Sequence, residues 1–205
     1  MPSNEPELLY VNSKIVEPSK LSPELFTNWY NDVHIPDIFK TTGIQEAFRY
    51  YTTAEDPSSI ERPYLALYPI KSKGFLQSAE FRSIPVQSDM LPGPSHDIFD
   101  VADFDTRYYT LKSNVRPFDG PFLLTVEFEG EHGVPKDLAS TASYNCYFSR
   151  QNRKAPEESE LGTPPTNLAL IWNRTENELE SSAQLMSSVG KIAKFKLLKD
   201  FVADK

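Results

Sequence analysis

The strongest constraint on the fold is an order of hydrophobic periodicities that runs through the chain twice. In the first half, Leu8 to Ile15 alternates as a strand does, with Leu9, Val11 and Ile15 on one face and Tyr10 and Asn12 on the other. Ser22-Pro23-Glu24-Leu25 then supplies a cap and a proline suited to the first helical position, and Leu25, Trp29 and Val33 share one helical face. Pro36 lacks the N–H that continues a helix, so an end or kink is expected near His34-Ile35. Ala47 to Thr53 and Tyr64 to Ile70 read as strands, Phe75 to Phe81 as a short helix, and Arg107 to Lys112 as a fourth strand.

The second half follows with strands at Phe122 to Phe128, Tyr144 to Ser149, Asn167 to Trp172 and Ala193 to Phe201. Helices are expected at Pro135 to Thr141 and Glu176 to Gly190, and a long polar loop at 150–165. Leu65-Ala66-Leu67 matches Leu168-Ala169-Leu170 at corresponding places. Each half thus reads β-α-β-β-α-β, a ferredoxin-like unit with helices on one face of the sheet and the other face bare. The expected fold is α+β: two fused units, residues 1–116 and 117–205, closing one intramolecular α+β barrel around a lumen. The second unit is reduced, having about 18 fewer residues between its first two strands.

Composition removes several classes of function. With 21 Lys+Arg against 29 Asp+Glu, the net charge of −8 opposes nucleic-acid binding. One cysteine, Cys146, excludes a disulfide framework, and three scattered histidines disfavour a His-rich metal site. No 18-residue apolar run or secretory leader is evident, so no membrane partner and a cytoplasmic location are expected. The acidic stretch Asp97, Asp100, Asp103 and Asp105 lacks the spacing of a calcium loop and reads as a charged connection packed on the sheet.

The run Phe26-Thr27-Asn28-Trp29-Tyr30-Asn31-Asp32-Val33-His34-Ile35-Pro36-Asp37 resembles the Phe-x-x-Trp/Tyr-Tyr-x-x-x-His-x-Pro signature of the EthD-like family, within the dimeric α+β barrel superfamily. Residues 8–112 are similar to the first unit of fungal tandem-unit members, and the second half has no counterpart of the motif. The superfamily includes cofactorless oxygenases, polyketide cyclases, decarboxylases, isomerases, haem proteins and members without known activity. The resemblance therefore implies one site per chain. Its expected work is cofactor-independent lyase or isomerase chemistry on a phenolic or polyketide-like small molecule. Cofactorless oxygenation, a non-catalytic ligand barrel and haem held by His34 are the alternatives.

His34 is the expected proton-transfer residue, since imidazole titrates near neutrality. Tyr30, one turn earlier, would stabilise an enolate oxygen, and Asp37 would reach back to orient the ring. Trp29 either lines a pocket or belongs to the core. Lumen-facing substrate contacts are expected from Tyr10, Asn12, Tyr68 (with Tyr64 and Ala66) and Tyr109 (with Arg107). On the second strand either Arg49 and Tyr51 or Phe48 and Tyr50 point inward, and a buried Arg49 would need a carboxylate or an anionic ligand. The protein would be a monomer with a pseudo-dimeric barrel, or a homodimer.

Overall fold

A computed structural model describes residues 7–70, 73–112, 120–130, 141–148 and 165–203. The first half supplies β1 (Glu7–Ile15), β2 (Glu46–Thr52), β3 (Tyr64–Ile70) and β4 (Ala102–Leu111); the second supplies β5 (Phe122–Phe128), β6 (Thr141–Phe148), β7 (Asn167–Asn173) and β8 (Lys191–Val202). They close into an antiparallel barrel in the order β1-β3-β2-β8-β5-β7-β6-β4. Counted from the first strand of each half, neighbours run 4-1-3-2 in both. Each seam joins the second strand of one half to the fourth of the other, β2 to β8 and β6 to β4. Both seams carry a register shift, at Arg49/Tyr50 and Tyr108/Tyr109, the kind of local bend that curls a sheet toward closure.

Helices coat the outside. α1 (Pro23–Trp29), a π turn (Tyr30–His34) and α2 (Ile35–Phe39) form one continuous rod over the first half, so the chain does not leave the helix at Pro36. The expected helix at Phe75 to Phe81 is two single turns, α3 (Lys73–Leu76) and α4 (Ala79–Arg82). α5 (Glu176–Met186) covers β5 and β7 with Leu179, Ala183 and Met186. β4 starts five residues earlier than the pattern indicated and absorbs Asp103 and Asp105. Their charges are matched there, Asp103 by Arg62 and Asp105 by Arg107, which lets acidic residues sit in a strand. All of the expected helix at 135–141 except Thr141, which begins β6, and most of the loop at 150–165 lie outside the described residues.

Register decides which face is which. Tyr68 lies opposite Leu9 and Ala66 opposite Val11, so Tyr64, Ala66 and Tyr68 face the helices with Leu9 and Val11. This reverses the expectation for β3: Leu65 and Leu67 fill the barrel, as Leu168 and Leu170 do in the second half. Arg49 pairs with Ala66 and turns outward with Tyr51, leaving Phe48 and Tyr50 inward. Tyr10, Asn12, Arg107 and Tyr109 do point inward. The inner cluster, each member at most 4% exposed, fills the lumen rather than leaving it for substrate. Asn173 of the glycosylation-like Asn173-Arg174-Thr175 is buried, its amide bonded to the Ile171 carbonyl and to Ser182, and Thr175 caps α5. Among the described residues no helix is long and apolar enough to cross a membrane.

Candidate active site

The cavity lies outside the barrel, between the motif helix and the outer faces of β1, β3 and β4. Ser22 opens that helix by accepting from the Leu25 N–H at 3.1 Å, and the first turns bury Phe26, Trp29 and Tyr30. The ladder then widens: the Ile35 N–H reaches the Tyr30 carbonyl, five residues back. Side chains five apart in an α-helix diverge by about 140°. The wider turn brings them together, so Trp29 and His34 stack at 4.8 Å with planes 15° apart. Tyr30 meets the same imidazole edge-on at 5.2 Å. π turns of this kind concentrate at functional sites.

The His34 Nδ1 lies 3.2 Å from the Pro85 carbonyl. A carbonyl only accepts, so Nδ1 carries the proton and Nε2 keeps its lone pair. Burial pulls the His34 pKa down to about 4, outweighing the Pro85 bond and the Asp37 charge, which both favour the cation; Arg49 adds to the lowering. The imidazole is therefore neutral at physiological pH. Asp37 does not hold it: its carboxylate accepts from Lys40 Nζ at 2.5 Å on the outer side of α2. The orienting group is the carbonyl of Pro85, in a different loop.

Trp29, Tyr30, His34, Tyr68, Thr106 and Tyr108 border a cavity of about 130 Å3, with Leu9, Val11, Ile38, Ile44 and Phe104 completing its walls. Ile84, Val86, Ile98 and Phe99 from the loop before β4 also line it. That loop is tied to itself by the Ile98 N–H to Val86 carbonyl bond and the Gln87–Asp97 bridge. The Tyr68 hydroxyl donates to the Tyr30 oxygen at 3.1 Å. Burial raises the pKa of both, and the nearby Arg49 opposes the rise. Behind Tyr30, on the β2 side, the Arg49 guanidinium lies 4.1 Å from the ring centroid and donates to Asn31 Oδ1 at 2.8 Å.

The expected residues thus divide. Trp29, Tyr30, His34 and Tyr68 meet at the cavity, and Arg49 supports it from behind. Tyr51 packs on Tyr64 at 4.8 Å and does not line it. Tyr10, Asn12 and Tyr109 lie inside the barrel, on the opposite face of the sheet, so they cannot share a ligand with His34. Thr106 and Tyr108 were missed. They alternate with Arg107 and Tyr109 along β4, so the signal existed once the outer face is known to carry the pocket.

A haem on His34 does not fit this arrangement. The space is well below the roughly 300–1,000 Å3 of sites that enclose larger ligands, and Trp29 covers one face of the imidazole. Among the described residues no group of three or more His, Cys, Asp or Glu is placed to hold a metal.

No family model matches the chain, and no curated protein matches it. Among solved structures it is similar to a crystal structure of a protein described as a candidate chlorite dismutase, with 9% identity, a TM-score of 0.54 and 95% of each chain covered. Such a likeness carries the fold alone: the chain has an α+β barrel fold of the chlorite dismutase type.

Proposed function

We propose that the protein is a small cofactor-independent lyase or isomerase that moves a proton on a compact phenolic or polyketide-like substrate, by decarboxylation or ring closure. One observation carries this: a neutral imidazole, its tautomer fixed by Pro85, borders the same small cavity as the paired Tyr30 and Tyr68 hydroxyls. His34 Nε2 takes the proton from an enolisable carbon and returns it, while the Tyr30 hydroxyl donates to the enolate oxygen and Tyr68 supports Tyr30. The volume limits the buried part of the substrate to about one ring, since apolar cavities near 150 Å3 hold benzene.

The test is deuterium exchange from solvent into single-ring β-keto acids and hydroxybenzoates, followed by NMR, with and without His34→Ala. Loss of roughly 10²–10⁴-fold in exchange is expected; equal rates in the two proteins remove the mechanism. The low basicity of His34 favours a second reading, a small-ligand binding protein without turnover, which would bind such compounds and exchange nothing. A product heavier by one oxygen would instead indicate cofactorless oxygenation.

We further infer that the barrel descends from two fused ferredoxin-like units, residues 1–116 and 117–205, of the EthD-like tandem type. The 4-1-3-2 order in both halves and the matching Leu-Ala-Leu segments on β3 and β7 support the repeat. The Phe26-to-Asp37 motif supports the family.

A further inference from the structure

We propose that the cavity takes its ligand as an oxyanion, and that Arg49 is a positioning residue that favours the anion through the Tyr30–Tyr68 hydroxyl pair. This rests on the cavity being the ligand site proposed above, but not on proton transfer by His34.

The starting point is a charge left unmatched. Arg49 and Arg62 are buried against this sheet and Arg107 nearly so. Arg62 is paired with Glu61 and Asp103, and Arg107 with Asp105 and Glu127. Arg49, 1% exposed, has no carboxylate partner among the described residues. Its Nη1 donates to Asn31 Oδ1 and, at 3.4 Å, to the Thr27 carbonyl; its Nη2 has no acceptor among the described residues. Its remaining compensation comes from the faces of Tyr30, at 4.1 Å, and Phe26, at 5.7 Å. A buried cation held by neutral groups alone is costly and gains from a nearby anion.

The Tyr30 ring touches that cation and also lines the ligand space. Beside it the cavity is bordered by His34, Tyr30 and Tyr68, all neutral at physiological pH, and by the uncharged Thr106. A phenolate, enolate or carboxylate oxygen accepting from the Tyr30 or Tyr68 hydroxyl would lie in the field of Arg49, which also acts on both hydroxyls; the opposing charge of Asp37, felt at His34, is itself paired with Lys40. In a site shielded from water such a field acts at greater range than in solution. The contact with Asn31 also ties Arg49 to the π turn, and the contact with Thr27 ties it to α1. A purely structural role there would alter stability but not the ionisation of a bound ligand.

The probe is 4-nitrophenol, titrated against the purified full chain across pH by its phenolate absorption band, with 4-nitroanisole as the neutral control. The bound phenol should ionise about one pH unit below the free phenol, the phenolate binding about tenfold tighter than the neutral form. Binding of 4-nitroanisole should not vary between pH 6 and 9. Arg49→Met should erase the shift, and Tyr68→Phe, which keeps the charge and removes a hydroxyl, should reduce it. Should Arg49→Met not fold, the unaltered protein and Tyr68→Phe still decide. Absence of 4-nitrophenol binding, an unshifted or raised ionisation, or a shift that survives Arg49→Met overturns the proposal. The indicator needs no turnover, so its failure is distinct from unchanged deuterium exchange in His34→Ala.

Discussion

At the scale of single residues, the site turns on where His34 finds its partner. The spacing of Tyr30 and His34 was legible because residues four apart in a helix share a face. Pro85 was not, because it lies 51 positions away in a loop whose only sequence signature is its breakers. Arg49 was ambiguous for another reason: alternation separates two faces of a strand but does not say which is inward, and only the pairing of Ala66 with Val11 settles it. The depressed pKa has a measurable sign. His34 falls from 6.5 to about 4 on folding, so the unfolded chain binds more protons between those values. Its contribution to stability should be complete above about pH 6.5 and disappear as pH falls through about 4. NMR titration of the ring protons should place the His34 midpoint near 4, and His34-dependent exchange should be flat from pH 6 upward; a midpoint near 6.5 would mean that the half-buried ring stays hydrated. A second prediction concerns the cavity wall. A Cβ at Gly43 would enter the ring of Phe75, which packs on Phe81 at 5.5 Å, and Phe81 lines the cavity. Gly43→Ala should cost about 1–3 kcal/mol by denaturant unfolding and weaken ligand binding as well, whereas unchanged stability would mean Phe75 moves freely.

At the scale of elements, Pro36 was legible as a disturbance of the helix but not as a π turn. The sequence pattern alone cannot say whether a proline stops a helix or is absorbed by widening the ladder before it. Here burial on both sides decides. Phe26 and Trp29 anchor the rod before the turn, Tyr30 at its start, and Ile35 and Ile38 after it. Closing the turn to ordinary α geometry would shift one set by a residue and take several large side chains out of the core, at about 2–5 kcal/mol each. The gain from restoring a helical residue at position 36 is at most about 3 kcal/mol, and less near a helix start. Pro36→Ala is therefore expected to keep the π turn and the Trp29–His34 stack. A crystal structure of the variant should retain both rings in contact, with stability changed by less than about 1 kcal/mol; a straight α-helix there would show that Pro36, not packing, imposes the turn.

At the scale of the whole molecule, the repeated order of elements was enough to expect a barrel, because two one-sided sheets have few other ways to bury their bare faces. The contents of the lumen were not legible. Whether an enclosed space is filled or open depends on side chains meeting from strands far apart in sequence, such as Trp172, whose Nε1 donates to the Tyr50 hydroxyl at 3.3 Å. The same closure makes each half dependent on the other. Separated at residue 116, the first half would bare the inward side chains Leu8, Leu65, Leu67 and Tyr109, together with the unpaired edges of β2 and β4. Because both seams join a second strand to a fourth, two copies of 1–116 could rebuild the closure, β2 of each copy against β4 of the other. That dimer would lack Glu127, which reaches across the lumen to Arg107 at 3.0 Å. Residues 1–116 alone should therefore sediment as a dimer or fail to fold, and coexpressed 117–205 should displace the second copy into a 1:1 complex. Glu127→Gln should weaken that complex by about 1–3 kcal/mol, since Arg107 loses one of its two carboxylates and keeps Asp105. A folded, stable monomer of 1–116 would mean the lumen side chains do not need the second half, and the barrel would then be two domains in contact rather than one closed sheet.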